Sequence, residues 1–226
     1  MSSTHRLDAA KRLQQHLEQF DWSAQTASRQ QALEAFLRLA NVHGFTAVTM
    51  RMLASELHIK APSLYAHFPE GKDEIVAVSL RWHFSKFGSA ILNAVDAAVG
   101  PAAFWDALVA THLSRQVRLP ESNLWDLLVA TDRTVHFLPV AVRADVDALV
   151  RHYEDMYRAT ATDMGVALSE EILALVMTVL EGATRWCRPD DLPDGIARAQ
   201  QVSRMLLKLP AAASSQLSAD EVEDAR

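Results

Sequence analysis

Apolar residues recur along nearly the whole chain at steps of three and four, the spacing that places them on one face of an α-helix. Residues 5–20 show it first, with Leu7, Ala10, Leu13, Leu17 and Phe20 in phase. Residues 21–27 break the pattern and read as a connector. A second helix opens with Ser28 as N-cap and Gln31 three residues on, a capping box, and carries Ala32, Leu33, Phe36, Leu37 and Ala40 on its apolar face. Gly44 ends it, because glycine accepts the left-handed backbone that closes a helix. Two short stretches follow. One runs from Thr49 with Met52, Leu53 and Leu57 inward, the other covers 61–67 with Leu64 and Phe68 inward, and His58-Ile59-Lys60 separates them. After Pro69-Glu70-Gly71 a long helix starts at Lys72 or Asp73 and runs towards Asn93. Further helical stretches cover roughly 101–118, 121–135, 138–164, 169–186 and 193–208, punctuated by five prolines and Gly165. No strand-like alternation and no internal repeat occurs. The expected fold class is all-α, with about nine helices plus an extra N-terminal helix.

Two short helices joined by a tight turn, braced by a preceding helix, make a helix-turn-helix. Its core would be Leu33, Phe36, Leu37, Phe45, Leu53, Leu57, Ile59, Leu64 and Phe68, with Ile59 plugging the turn inward. Ala54 is small where the helices approach. Pro62 sits in a first turn, where its missing N–H costs little. The chain therefore divides into an N-terminal extension (1–24), a small three-helix helix-turn-helix head (25–72), a larger helical domain (73–209) and an Ala/Ser-rich, then acidic stretch (210–226) expected to be a disordered tail.

Composition supports this division. Half of the 226 residues are hydrophobic, with only seven glycines and eight prolines, enough for a sizeable helical core. The net charge of −6 looks wrong for a nucleic-acid binder until it is mapped. The first 72 residues carry eight Lys/Arg against six acids, and the remainder 14 against 22. A mildly basic head on an acidic body suits a modular DNA binder. The single Cys187 cannot form an internal disulfide and is read as an ordinary helix-end residue. The N-terminus lacks the apolar core of a signal peptide, and no apolar run approaches the ~20 residues of a membrane span. A bacterial cytoplasmic protein with no membrane partner is expected.

The segment GFTAVTMRMLASELHIKAPSLYAHFPEGKDEIV resembles the DNA-binding signature of the TetR family of transcriptional regulators. Gly44, Phe45, Thr49, Leu53, Ala54, Leu64, Tyr65, His67, Phe68 and Lys72 stand at the signature positions, and the match covers residues 28–80. Three positions depart from it. His58 occupies the turn usually held by glycine, and histidine tolerates a left-handed backbone better than most residues. Lys60 replaces the usual Ser/Thr cap of the recognition helix. One residue is added between Phe68 and Lys72, through Gly71. The resemblance and the side-chain chemistry together assign DNA contacts to Thr49, Arg51, Lys60, Ala61, Ser63, Tyr65, His67 and Lys72. Tyr65, His67 and Lys72 would clamp phosphates, while Lys60, Ala61 and Ser63 lead the recognition helix towards base edges. For His67 a plain helix-packing role is nearly as well supported, and Arg29 and Arg38 read as solvated surface charges.

The resemblance also implies a homodimer and an inducer pocket. Helices 169–186 and 193–208 each carry a second apolar face, which assigns Leu175, Val179, Ala183, Trp186, Val202, Met205 and Leu206 to dimerisation. The middle of the chain is dense in rings and soft side chains. Candidate ligand-binding residues are His83, Phe87, Phe104, Trp105, His112, Trp125, Arg133, His136, Met156, Met177 and Glu181, with Asp132 and Arg185 as further polar anchors. The expected function is sequence-specific binding of double-stranded operator DNA, as a repressor released by a small hydrophobic or aromatic inducer. Two rival classes stay open: a non-catalytic helical ligand-binding bundle and a cofactor-free helical enzyme. No G-x-S-x-G, H-E-x-x-H, G-x-G-x-x-G or Walker-type loop is present, and the nine histidines lack metal-ligand spacing. No catalytic residue, metal or cofactor is expected.

Overall fold

Helix ends set by local punctuation divide the chain into a series of α-helices. In the computed structural model they are α1 (His5–Leu17), α2 (Ala27–His43), α3 (Met50–Glu56), α4 (Ala61–His67), α5 (Lys72–Asp96), α6 (Pro101–Arg118), α7 (Pro120–Val135), α8 (Val140–Asp163), α9 (Glu170–Glu181) and α10 (Leu192–Leu206). Short 3-10 turns at Ala183–Arg185 and Pro189–Asp191 link α9 to α10. The structure describes residues 4–209 except 21, 23, 24 and 137, so the expected tail at 210–226 lies outside the described residues. The fold is all-α, as the periodicity implies. No helix among the described residues is long and apolar enough to cross a membrane.

Some boundaries differ from the sequence reading. α2 is capped by Thr26, whose extended backbone lets its hydroxyl accept from the Arg29 N–H at 3.3 Å, and Ser28 falls in the first turn. α1 stops at Leu17 rather than 20. The stretch expected as one helix over 169–186 ends at Glu181, where Gly182 turns the chain into the 3-10 segment. Gly195 on α10 lies against Cys187, which is buried: a Cβ there would meet Cys187 Sγ at 2.3 Å. Backbone and thiol are therefore in direct contact.

Two apolar clusters organise the chain. The head cluster contains Leu33, Phe36, Val48, Leu53, Ala54, Leu64 and Phe68, and it continues into Ile75, Val76 and Leu80 of α5, Trp125 and Leu128 of α7, Leu138 of the connector and Val142 and Val146 of α8. The body cluster gathers Phe104, Trp105, Leu108 and Leu113 of α6 with Met156 and Tyr157 of α8, Val176 and Leu180 of α9 and Ala199 of α10. Each fully buried side chain of this size contributes roughly 1.5–3 kcal/mol. Helix α5 joins the two: its first turns belong to the head cluster, Ile91 and Val95 to the body cluster, and Phe84 between them packs against both. The apolar core of the head thus runs past residue 72 along α5.

The N-terminal extension packs on the body. Ala9 and Leu13 are buried in the body cluster, and Leu17 crosses α5 so closely that a Cβ on Gly88 would come within 3.0 Å of it. Asp163, at the far end of α8, accepts from the His5 and Arg6 backbone N–H groups at 3.2 and 3.1 Å and from Arg6 Nη1 at 2.8 Å. A carboxylate from another helix thereby satisfies two of the N–H groups that an α-helix leaves unpaired at its start.

Candidate nucleic-acid interface and body cavity

Thr49 caps α3, its hydroxyl accepting from the Met52 N–H at 3.2 Å. The turn out of α3 is a Schellman motif: the His58 N–H donates to the Ser55 carbonyl at 3.1 Å and the Ile59 N–H to the Ala54 carbonyl at 2.9 Å. The left-handed position is His58, at φ 55°, which is the role its place in the sequence implied. Ile59 does not plug the core. It is 40% exposed, because the motif ties its N–H back to α3 and leaves its side chain on the open side of the turn. Val48 and Ala54 fill that part of the head cluster instead.

Lys60 precedes α4 with extended backbone and no side-chain capping bond, and Pro62 sits in the first turn. Thr49, Arg51, Lys60, Ser63 and Tyr65 are exposed, while Ala61, His67 and Lys72 are half-buried. Tyr65 lies over Gly71: a Cβ there would come 3.3 Å from its ring, and φ is +73°. The left-handed backbone favours glycine at the added position, and any side chain there would also push the Tyr65 ring back by a few tenths of an ångström. Lys72 Nζ donates to the Thr46 carbonyl at 2.7 Å, and burial pushes its pKa below the ordinary lysine value, opposed by Asp73. Its amine is tied to the loop before α3 rather than extended into solvent.

Arg29 is not a solvated surface charge. Its guanidinium lies 4.2 Å over the Phe68 ring, donates to the His67 carbonyl, pairs with Glu74 at 3.2 Å and reaches Gln25 Oε1 at 2.9 Å. It braces the C-terminal end of α4 against α2 and α5. The sequence carried no signal for this, since Arg29 and His67 are 38 residues apart. Arg38 forms an exposed pair with Glu56 at 3.4 Å, as a surface charge would.

Five body helices enclose a cavity of about 320 Å³. Of the candidate ligand residues, His83, Phe87, His112, Arg133, Met177 and Glu181 line it. Phe104, Trp105, Trp125, Met156 and His136 do not. Trp105 donates its indole N–H to Ser203 Oγ at 3.0 Å and, with Phe104 and Met156, belongs to the solid core. Trp125 is fully buried with its ring 5.9 Å from that of His83, the residue that does line the cavity. His136 closes α7 in the left-handed conformation and is exposed. Among the further anchors, Asp132 is consumed by Arg143 and the Leu138 N–H, which hold its carboxyl below the usual range, and Arg185 lies in the exposed 3-10 turn.

The lining also holds groups the sequence reading passed over, among them Gln116, Asp126, Tyr153 and Glu154. His112 Nδ1 and the Tyr153 hydroxyl are 2.9 Å apart, and Tyr153 meets Tyr157 at the same distance. Burial pushes the His112 pKa down to about 4 and that of His83, aided by Arg115 and Lys86, down to about 3. Both rings are therefore neutral at pH 7.

On α9 and α10, Leu175 and Met205 are exposed and Val179, Trp186, Val202 and Leu206 are partly so, with the Trp186 indole donating to the Val179 carbonyl at 3.2 Å. Ala183 is completely buried within its own chain and offers nothing to a mate.

A braced helix-turn-helix on a helical body with a cavity is an architecture that one-component DNA-binding regulators use. Comparison with known proteins finds the same architecture. Residues 32–78 match the family model of bacterial regulatory proteins, tetR family. The regulator PfmR from Thermus thermophilus is 20% identical, covering 83% of this chain and 100% of its own at a TM-score of 0.64. A transcriptional regulator from Saccharomonospora viridis, solved with choline, is 20% identical, covering 76% and 94% at 0.61. AibR, solved with isovaleryl coenzyme A and operator DNA, is 16% identical, covering 77% and 96% at 0.64. No curated protein matches the chain in sequence. The head matches the family's N-terminal domain model over residues 32–78, and the fold is similar to that of solved TetR-family regulators over about four fifths of the chain.

Proposed function

We propose that this protein is a transcriptional repressor of the bacterial cytoplasm that binds operator DNA as a homodimer and is released by a small organic ligand. The observation that carries the reading is the presentation of Lys60, Ser63 and Tyr65 in the open on a short helix whose far end is held by Arg29. In this division of labour residues 25–72 read DNA and 73–209 bind ligand and mate. Lys60, Ala61 and Ser63 meet base edges. Tyr65, Thr49 and Arg51 contact the backbone, and His67 and Lys72 contribute from the half-buried flank. The exposed Leu175 and Met205, with Val179, Trp186, Val202 and Leu206 around them, supply the face for a second copy, which two-fold operators demand. Cavity and head are linked by α5, which lines the cavity with His83, Phe84 and Phe87 and begins at Lys72, bonded to the loop before α3. A ligand that favours a different tilt of α5 shifts the heads by its differential affinity for the two states.

The test is retardation of promoter DNA taken from beside the gene, titrated against salt. Wild type should bind with a steep salt dependence. Tyr65→Ala and Lys60→Glu should each abolish retardation while helix content and oligomeric state persist. Wild-type retardation by either variant refutes the interface, and salt-independent binding refutes the class.

A further inference from the structure

The charges around the cavity are unequal. Four charged side chains line it: Asp126, Glu154, Glu181 and Arg133. Glu154 is answered from outside by Arg158, whose guanidinium reaches it at 3.0 Å. That leaves two carboxylates to one arginine. Asp126 Oδ2 accepts from the neutral amide of Gln116 at 2.6 Å, and the same nitrogen donates to the Glu181 backbone carbonyl at 3.2 Å. Gln116 thus draws both acids to one corner of the cavity without neutralising either. Burial pushes the Asp126 carboxyl up to about 6. Glu181 stands at the cavity mouth, open on its outer side; the part of it that is covered, and then the Asp126 charge, push its carboxyl up to about 7, against Arg133. Both acids are short of positive charge.

The rest of the lining matches that corner. Phe87 packs edge-on against Tyr153 and His112, with ring centroids 5.0 and 5.4 Å away, and presents an apolar wall. His83, only 8% exposed and on the same lining, has no hydrogen-bond partner among the described residues. Its imidazole is neutral and faces the cavity, so a free ring nitrogen can accept from an N–H donor that enters. An anionic ligand would face two carboxylates, with Arg133 the one cation in the lining and Arg115 set back behind Phe87. A cation finds two carboxylates, a neutral acceptor and aromatic faces.

We propose that the cavity takes a lipophilic organic cation, a protonated or quaternary amine whose charge sits between Asp126 and Glu181 and whose apolar body lies against Phe87 and Tyr153. This rests on the reading of the cavity as the ligand site. Its volume of about 320 Å³ stands at the small end of ligand pockets, roughly 300–1,000 Å³, so a single ring with a short chain fits better than a polycyclic body.

The experiment is calorimetric titration of the purified full-length protein with three probes of one shape: phenylbutyltrimethylammonium, its uncharged tert-butyl isostere and the matching carboxylate. The cation should bind more tightly than the neutral isostere by about tenfold or more, the scale of a partly desolvated cation against carboxylates and aromatic faces. In an Asp126→Asn, Glu181→Gln double variant that preference should vanish while the neutral isostere binds as before. Tighter binding of the carboxylate or the neutral probe, or an undiminished cation preference in the double variant, overturns the charge assignment and leaves the cavity a ligand site. Failure of all three probes to bind protein of intact helix content overturns the ligand-site reading as well.

Discussion

Replacing Arg29 with alanine tests whether the recognition helix is held from behind. The guanidinium is largely covered, with its side chain 20% exposed, and makes four contacts: the His67 carbonyl, Glu74, Gln25 and the Phe68 ring. Gln25 and Glu74 are half-buried at the rim of the contact and can turn to water when the arginine goes, so they add little. The bond to the His67 carbonyl, a bond to a charged donor, is worth about 1.5–3 kcal/mol, and the cation–π contact about 0.5–1 kcal/mol. Together they predict a loss of about 2–4 kcal/mol. At roughly 2–4 °C per kcal/mol for a chain of this size, Tm should fall by about 4–16 °C. A solvated surface charge would change stability by less than about 0.5 kcal/mol. Binding gives a second readout. The guanidinium points into the head, so its removal should weaken operator binding without changing the salt slope. A lost phosphate contact would lower that slope by about 0.9. Arg29→Lys should not rescue, because one ammonium cannot cover the ring and bond both the carbonyl and Glu74. A Tm change below about 1 °C, or a slope reduced by one contact, refutes the brace.

Other expectations follow from buried contacts. Leu13→Ala should cost about 2–5 kcal/mol, read by denaturant unfolding, because Leu13 is fully buried between α1 and the body; a cost under about 1 kcal/mol would show that the extension is dispensable to the core. Gly195→Ala would gain about 1 kcal/mol from helix propensity alone, but its Cβ would overlap Cys187 Sγ, so the net should be a loss of about 1–2 kcal/mol, and a higher Tm would contradict the contact. Glu181→Gln should raise Tm at pH 8 and leave it unchanged at pH 4. The folded state lifts this carboxyl from 4.5 to about 7, so its stabilising contribution is complete below pH 4.5 and is lost as pH rises through 7; equal shifts at the two pH values would refute the cause.

The helices were legible because their ends are written locally. Gly44, Gly100-Pro101, Pro120 and Gly165 stop or start helices wherever they occur, and the boundaries beside them agree with the structure to within a residue or two. Disagreement arises where two local signals compete. Thr26 and Ser28 can both cap α2, and the sequence does not show which is better placed. The head was legible for a different reason: Leu-Tyr-x-His-Phe encodes one face turned inward, Leu64 and Phe68, and one turned out, Tyr65. Ile59 escaped this logic because its exposure depends on how the turn closes, not on its hydrophobicity. Arg29 and Lys72 escaped it because their partners, the His67 and Thr46 carbonyls, lie 38 and 26 residues away, and a backbone carbonyl leaves no trace in composition.

The cavity was only half legible, and the reason is physical. A density of rings marks volume that must be filled by something large and apolar, but it does not tell a filled volume from an open one. Trp105 and Trp125 have the same composition-level signature as Phe87. Trp105 is committed to the interior, its indole hydrogen-bonded to α10, and Trp125 packs wholly within the other cluster, whereas Phe87 faces space. What separates lining from core is the company of polar groups that the fold fails to pair internally. Asp132 is hydrogen-bonded by Arg143; among the described residues no cation hydrogen-bonds Asp126 or Glu181, and Arg133 acts on Glu181 through its charge alone. A carboxylate with a cationic partner nearby lowers its pKa and serves the fold, whereas one held in a cavity without such a partner raises it at some cost to stability. That cost is recoverable only when a partner arrives from outside, so the residues that weaken this body are those with which a ligand can strengthen it.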